Sequence, residues 1–466
     1  MRLGLKILMG LGLTLAILVP LTMIRGTISE RQRYRAQAVQ NIAQSYAGAQ
    51  GVAGPVLVVP YVETIEVEEK NDKGVVIRKV KRDGASGQWT FFADTMDVAG
   101  HVKPSTRRLG LHEVRVYELK GTLAARFRAN IPVDVDPNLP RKIGRPWLSY
   151  GIADVRGLAG SPQLRIDGRE RLLEQGLGSR DGAGVHVRMP VPRAGVMLAF
   201  DSRLDFALGG TESLAIAPLA KRNRIVLDST WPHPQFNGAF LPRTRTVDGR
   251  GFHAEWEVSS LATNAQAQYL SGNIKAVTGS GGPGNEALLQ QAASVSETGR
   301  AGLDAVGVSL VDPVNVYTQA DRASKYGLLF VLLTFVGFFM FELIKQLRIH
   351  PIQYGLVGLA LAIFFLLLVS LSEHFAFVWA YLVASIACIG LLGFYVTHVL
   401  HSRARGMGFA AMLATLYAAL YGLLISEDNA LVLGAGLLFV ILAALMVVTR
   451  KVDWYRIGAA GAVQGE

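Results

Sequence analysis

The densest cluster of chemically capable residues in this 466-residue chain is Trp231-Pro232-His233-Pro234-Gln235-Phe236-Asn237-Gly238-Ala239-Phe240-Leu241-Pro242. Three prolines and a glycine restrict its backbone, and Trp231, Phe236 and Phe240 give it a large apolar payload. Such a loop reads either as a structural corner between sheets or as a recognition loop, because ordered aromatics make good anchors at binding surfaces. His233 is its one titratable group. A second set is acidic and borders apolar segments: Glu342 with Lys345 nearby, Glu373-His374, and Glu427-Asp428. Charge at membrane depth is costly and marks functional candidates. These residues read either as solvated interfacial charges or as a proton-responsive patch in which a carboxylate and a histidine do acid/base work. Asp154 and Arg156 stand two apart, on one side of an expected strand, which favours a local ion pair.

Other catalytic signatures are missing from the sequence. It has no G-x-S-x-G elbow, no S-x-x-K and no HExxH. His101, His112, His186, His233 and His253 stand singly, without metal-ligand spacing. Gly176-Leu177-Gly178 lacks the context of a phosphate loop and reads as a turn. The one cysteine, Cys388, falls in an apolar segment, so the large polar part of the chain can use neither disulfides nor thiolate chemistry. The expectation is a protein without catalysis, metal or cofactor.

The elements that must position these residues are of two kinds. Half of the residues are apolar and the mean hydropathy is +0.30. A hydrocarbon core about 30 Å thick needs roughly 20 apolar helical residues. Six segments qualify as expected spans: Ile7–Ile24, Tyr326–Ile344, Tyr354–Leu371, Phe377–Val399, Phe409–Ile425 and Ala430–Thr449. The first has no small-x-small site after it and reads as an uncleaved anchor. Lys345, Arg348, Arg403, Arg405, Arg450, Lys451 and Arg456 sit in alternate loops and the tail, whereas Ser372-Glu373-His374 and Ser426-Glu427-Asp428-Asn429 carry no Lys or Arg. The positive-inside rule then puts both termini in the cytoplasm and the large intervening domain outside, against the local pull of Arg25, Arg31, Arg33 and Arg35. The net charge of +11 is in large part this topology signal, which argues against nucleic acid as a partner and for the lipid bilayer.

The expected domains are an anchor at 1–24, an extracytoplasmic domain at 25–325, a five-helix bundle at 326–449 and a cytoplasmic tail at 450–466. Within the second, residues 27–47 read as a juxtamembrane helix stopped by Gly48, Gly51, Gly54 and Pro55. Strands follow: Pro55–Val62, then Glu63–Glu69 and Gly74–Val80 as a hairpin about Lys70-Asn71-Asp72-Lys73. Val114–Leu119 and Thr122–Phe127 suggest another hairpin about Lys120-Gly121. Val185–Val191, Gly195–Ala207, Ser213–Ala217, Arg224–Asp228, Gly251–Val258 and Val306–Tyr317 complete the set, with Thr278–Gly302 as a flexible Gly/Ser-rich insertion. The fold class is membrane α + β: one N-terminal and five C-terminal transmembrane helices around a large, sandwich-like β-rich domain.

Several blocks resemble the CreD family of bacterial inner-membrane proteins: SYGIADVRG (Ser149–Gly157), STWPHPQFNGAFLP (Ser229–Pro242), DRASKY (Asp321–Tyr326) and Phe341-Glu342. They continue as HPIQYGLVG (His350–Gly358), LLLVSLSEH (Leu366–His374), LLISEDNALVLG (Leu423–Gly434) and Asp453-Trp454-Tyr455. The resemblance covers nearly the whole chain and departs from the family around Thr278–Gly302. It implies an inner-membrane protein tied to a two-component regulatory system, to envelope integrity and, in some bacteria, to the response to β-lactams. It supplies no catalytic residues. The leading expectation is periplasmic binding or sensing of an envelope protein or cell-wall ligand. The alternatives are a membrane enzyme acting on lipid or cell-wall intermediates, with Glu373, His374, Glu427 and Asp428 as its residues, and a transporter, which the quiet span interiors disfavour.

Overall fold

The computed structural model describes residues 3–70, 76–110, 112–134, 136–178, 182–272, 302–310, 316–345, 350–399, 402–425 and 430–450. The chain divides into two compact units, residues 35–313 and residues 1–34 with 314–466. Helix α1 (Leu3–Ser45) contributes to both, and Pro20 lies within it without ending it.

The first unit is a large β-rich domain. Its strands are β1 (Gln50–Lys70), β2 (Val76–Phe92), β3 (Thr95–Leu109), β4 (His112–Asn130), β5 (Lys142–Ile143) and β6 (Trp147–Ile152). Then come β7 (Leu158–Ile166), β8 (Arg169–Arg171), β9 (Glu174–Gln175), β10 (Gly184–Arg188), β11 (Met197–Thr211) and β12 (Ser213–Ala217). The last are β13 (Arg222–Ser229), β14 (Gln235–Gly238), β15 (Thr244–Asp248), β16 (Gly251–Ser259) and, after the short helix α2 (Ala265–Leu270), β17 (Val306–Ser309).

They form two sheets. One runs β14-β17-β12-β1-β6-β10-β9, with β2 and β5 also paired to β1. The other runs β15-β16-β13-β3-β4-β11-β7-β8. One core joins them, built from residues such as Leu57, Leu148 and Tyr150 of the first sheet and Phe127, Leu208 and Trp256 of the second. Full burial of side chains this size stabilises by about 1.5–3 kcal/mol each. The outer-facing β4 residues alternate with buried ones, as a half-buried strand requires. β1 behaves differently: Gln50–Val59 is buried without alternation. Its second face is covered by α2 and by Leu303 and Ala305, which pack with Ala53, Val56 and Val58. That explains the Val-rich run around Pro55–Val62. Past Tyr61, β1 and β2 become an exposed ribbon carrying cross-strand ion pairs, Glu66–Lys79 at 3.1 Å and Glu69 with Arg78 and Arg82 at 2.6 and 3.0 Å.

Three sequence expectations change here. Val114–Leu119 and Thr122–Phe127 are one strand, not a hairpin, because β4 pairs with both β3 and β11 straight through Lys120 and Gly121. Gly121 is there for close approach, since a Cβ would meet the ring of Phe206. Residues 155–157 form a single 3₁₀ turn in place of a strand, with Asp154 as its N-cap. The final strand is only Val306–Ser309, and helix has already begun at Val316. The strands β3, β6 and β7 had no expectation assigned to them. The insertion expected at Thr278–Gly302 lies outside the described residues except for Gly302.

The second unit contains α3 (Val316–Lys345), α4 (Pro351–Ser372), α5 (Phe377–Val399), α6 (Arg403–Ile425) and α7 (Ala430–Thr449). Among the described residues three helices are long and apolar enough to cross a bilayer: Ile352–Ser372, Phe377–Val399 and Arg403–Ile425. Shorter apolar stretches lie at Lys325–Phe339 and Val432–Ala443. Helices α3 to α6 pack around a ring-rich centre in which Phe330 and Phe364 each meet Tyr417 edge-on at 4.6 Å. Ile24 and Ile28 of α1 are buried in the same cluster. The His350-Pro351-Ile352-Gln353 block is a helix start: the His350 ring accepts from the Ile352 amide, Gln353 Oε1 accepts from the His350 amide, and Pro351 takes the first helical position.

Candidate functional site

The Trp231–Pro242 run forms the rim of the first sheet. Trp231 is tied on several sides: its amide donates to Ser229 Oγ at 3.1 Å, and its indole donates to the His233 carbonyl at 2.8 Å. The His233 ring stands edge-on at 6.0 Å and the Arg115 guanidinium lies 4.1 Å above the indole. β14 then adds to β17, with Phe236 opposite Val308. The Phe236 ring meets Phe252 at 5.6 Å and Trp256 at 5.7 Å, both from β16. The Trp256 indole donates to the Phe240 carbonyl at 3.1 Å. Trp231, Phe236 and Phe240 therefore all pack against the core.

Beside β14 opens a cleft of about 510 Å³, lined by Phe236, Asn237, Gly238, Ala239 and Leu241 on one wall and Gly302–Ala305 on the other. Of the four loop residues singled out from the sequence, Phe236 lines it, and Trp231, His233 and Phe240 do not. Leu241 is 69% exposed. Asn237 Nδ2 donates to Ser309 Oγ at 2.6 Å, while its buried Oδ1 meets no donor among the described residues. A buried acceptor without a donor is costly. The carboxylate in this cleft, Asp304, accepts from Thr263 Oγ1, the Asn264 amide and Gln268 Nε2. Burial alone would raise its pKa, but these hydrogen bonds win and lower it. It fixes the wall to α2. The wall chemistry is that of a binding surface: one ring, one exposed aliphatic side chain and open backbone.

A second constellation holds the C-terminal end of α1. Arg156 donates to the carbonyls of Gln44 (2.6 Å) and Ala43 (3.3 Å), the last turn of the helix. A cation is favourable there because the final carbonyls lack helical partners and carry the negative end of the dipole. Asp154 holds that guanidinium at 2.6 Å and also accepts from the Gly48 amide at 3.1 Å. Arg156, with help from the Gly48 and Arg156 amides, depresses the Asp154 pKa to about 2 against the opposing effect of burial. Gln50 links the Asp154 backbone to the Gly209 carbonyl, and Thr211 Oγ1 donates to the Ala47 carbonyl. Gly157 leaves no room for a Cβ between Gly209, Gln50 and Ala47. Ala38 and Ile42 of α1 bury against Val114 and Val116, and Arg35 pairs with Glu212 at 3.1 Å. Sequence reasoning found the Asp154–Arg156 pair but not Gln50, Thr211 or the helix end. Gln50, a polar residue opening an apolar strand, was the available signal.

The polar residues of the helical unit come together only in part. Glu373 follows the last residue of α4 and its carboxylate lies 3.1 Å from Arg31 Nε, with 9% of the side chain exposed. His374 is exposed, its Nδ1 3.4 Å from the Ser370 carbonyl. Glu427 and Asp428 lie outside the described residues, as does the side chain of Glu342. Deeper in, Tyr381 donates to the Tyr417 carbonyl at 2.8 Å and Tyr417 donates to Cys388 Sγ at 3.1 Å. These hydroxyls are used up within the packing. Among the described residues no three His, Cys, Asp or Glu side chains are grouped to hold a metal.

Comparison with known proteins gives a consistent answer. Inner membrane protein CreD of Escherichia coli (strain K12) is 34% identical over 448 residues, which is 95% of this chain and 92% of that protein. A solved structure of native leukotriene A4 hydrolase from Saccharomyces cerevisiae matches 36% of this chain and 27% of its own at 11% identity, but its TM-score of 0.19 carries no argument. The family description "Inner membrane protein CreD" matches residues 2–455. The chain with this rim, this helix-end clamp and these apolar helices belongs to the CreD family of inner membrane proteins.

Proposed function

We propose that this protein is held in the inner membrane by six spans, presents its β-rich domain on the extracytoplasmic side, and supports envelope integrity and resistance to β-lactam stress by binding, not by catalysis. The cleft beside β14 is the binding surface. The observation that carries this reading is that cleft's wall, where the Phe236 ring and the exposed Leu241 side chain stand beside open backbone at Gly238 and Ala239. The occupant is an envelope protein or a cell-wall ligand. Against acid/base chemistry at Glu373 stands its engagement by Arg31.

Leu241→Asp is the first test. A surface substitution of this kind leaves stability within about 0.5 kcal/mol of wild type. In a deletion strain it is expected to restore expression and export but not envelope protection, measured as permeability and β-lactam sensitivity. Full protection by a well-folded Leu241→Asp protein would rule the cleft out. For the topology, Leu261 is 96% exposed in the β-rich domain. With Cys388 replaced by Ala, Leu261→Cys is expected to react with an impermeant maleimide in intact spheroplasts, whereas Ser402→Cys should react only after lysis. The reverse pattern would invert the orientation.

A further inference from the structure

Helices α4 and α5 enclose a groove of about 350 Å³ whose lining is almost wholly hydrocarbon. Its α4 wall is Leu356, Leu359, Ile363 and Leu367, one face at helical spacing. Its α5 wall carries Ala387 and Leu391, the latter 60% exposed. The floor is buried: Phe364, Cys388 and Leu392 lie beneath, and the small Ala360 and Ala387 leave the hollow between them. The polar atoms of that floor have partners. Cys388 Sγ donates to the Ala360 carbonyl at 3.6 Å and accepts from Tyr417. The one other polar side-chain atom of the lining is the Tyr395 hydroxyl. From Leu356 to Leu367 the groove runs about 16 Å along α4, roughly half of a hydrocarbon core about 30 Å thick.

We propose that this groove is a lipid site, holding one acyl chain of a membrane phospholipid in preference to the rest of the helical surface. The proposal rests on α4 and α5 crossing the bilayer, which is part of the reading above. A slot sunk between two helices offers a chain contacts on three sides, whereas the convex surface of α7, where Phe439 and Val440 are 71% and 63% exposed, offers them on one. Its length and apolar lining fit a flexible methylene chain, and its buried thiol is already engaged.

The test uses the full chain reconstituted in phosphatidylethanolamine–phosphatidylglycerol vesicles containing a trace of phospholipid with a mid-chain diazirine. Irradiation and peptide mass spectrometry then map the adducts. Adducts per exposed residue are expected to be about fivefold higher on residues 356–367 and 387–395 than on α7, equivalent to about 1 kcal/mol of preference. Ala387→Phe fills the hollow and should bring that ratio to about one while leaving α7 labelling and thermal stability unchanged. Adducts that follow exposure alone, or that Ala387→Phe does not move, overturn the lipid site. So do cross-links between copies through this face, which would make the occupant protein. Release of the chain from the vesicles by alkaline carbonate would overturn the span reading as well; firm insertion with even labelling overturns this inference alone.

Discussion

Replacing Trp256 by Ala is expected to destabilise the β-rich domain by about 3–5 kcal/mol, the range for deleting a buried aromatic side chain. Trp256 is 1% exposed and occupies the core between the sheets. Three things are lost together: its buried area, its edge contact with Phe236, and the hydrogen bond to the Phe240 carbonyl. At about 2–4 °C per kcal/mol for a domain near this size, the melting temperature should fall by roughly 6–20 °C. Calorimetry of the full chain in detergent reads this directly. The contrast with Leu241→Asp separates fold from binding, because both touch the same rim. A drop of under about 1 kcal/mol for Trp256→Ala would mean that the rim is not anchored through this indole.

Arg156→Ala should destabilise the domain, because it removes the principal group that depresses the Asp154 pKa from 3.8 to about 2. The sign follows from the direction. Asp154 has a lower pKa folded than unfolded, so its stabilisation is complete above about pH 4–5 and is lost as pH falls through about 2. Urea unfolding at pH 5 and pH 2.5 should therefore show a decline in wild type that is shallower in Arg156→Ala. Hydrogen exchange gives a local readout: the Gly48 amide, which donates to Asp154, should lose protection in the variant. Equal pH profiles for the two proteins would show that the pair is an incidental surface contact.

What the sequence made legible was local chemistry. β1 and β2 pair antiparallel up to Lys70 and Val76, on either side of the Asn/Asp-containing signature, and Ser213–Ala217 is a strand as read. The Asp154–Arg156 pair was legible because two residues of opposite charge stood close together. What was hidden depended on partners far away in the chain. Lys120-Gly121 looks like a turn until β3 and β11 are placed on either side of it. Phe236 was visible as an aromatic, but the opposite cleft wall comes from Gly302–Ala305, more than sixty residues later. Arg156 gave no hint that it would reach the end of a helix 112 residues earlier. The Arg31–Glu373 contact joins a basic stretch that reads as a topology signal and an acidic loop that reads as solvated or proton-responsive, and neither names the other as a partner.

Two of the strand pairings are parallel: β1 joins β12 through Gln50 and Leu214, and β3 joins β13 through Thr95 and Arg222. Each closes a loop of well over a hundred residues, the kind of non-local contact that slows folding. At about 5–20 residues per second, roughly ten to thirty seconds of synthesis separate Gln50 from Leu214. During that interval the most apolar strand of the domain lacks one of its permanent neighbours. The nascent chain thus has a window of aggregation risk set by its topology alone, and it should depend on a holding chaperone until β12 has emerged.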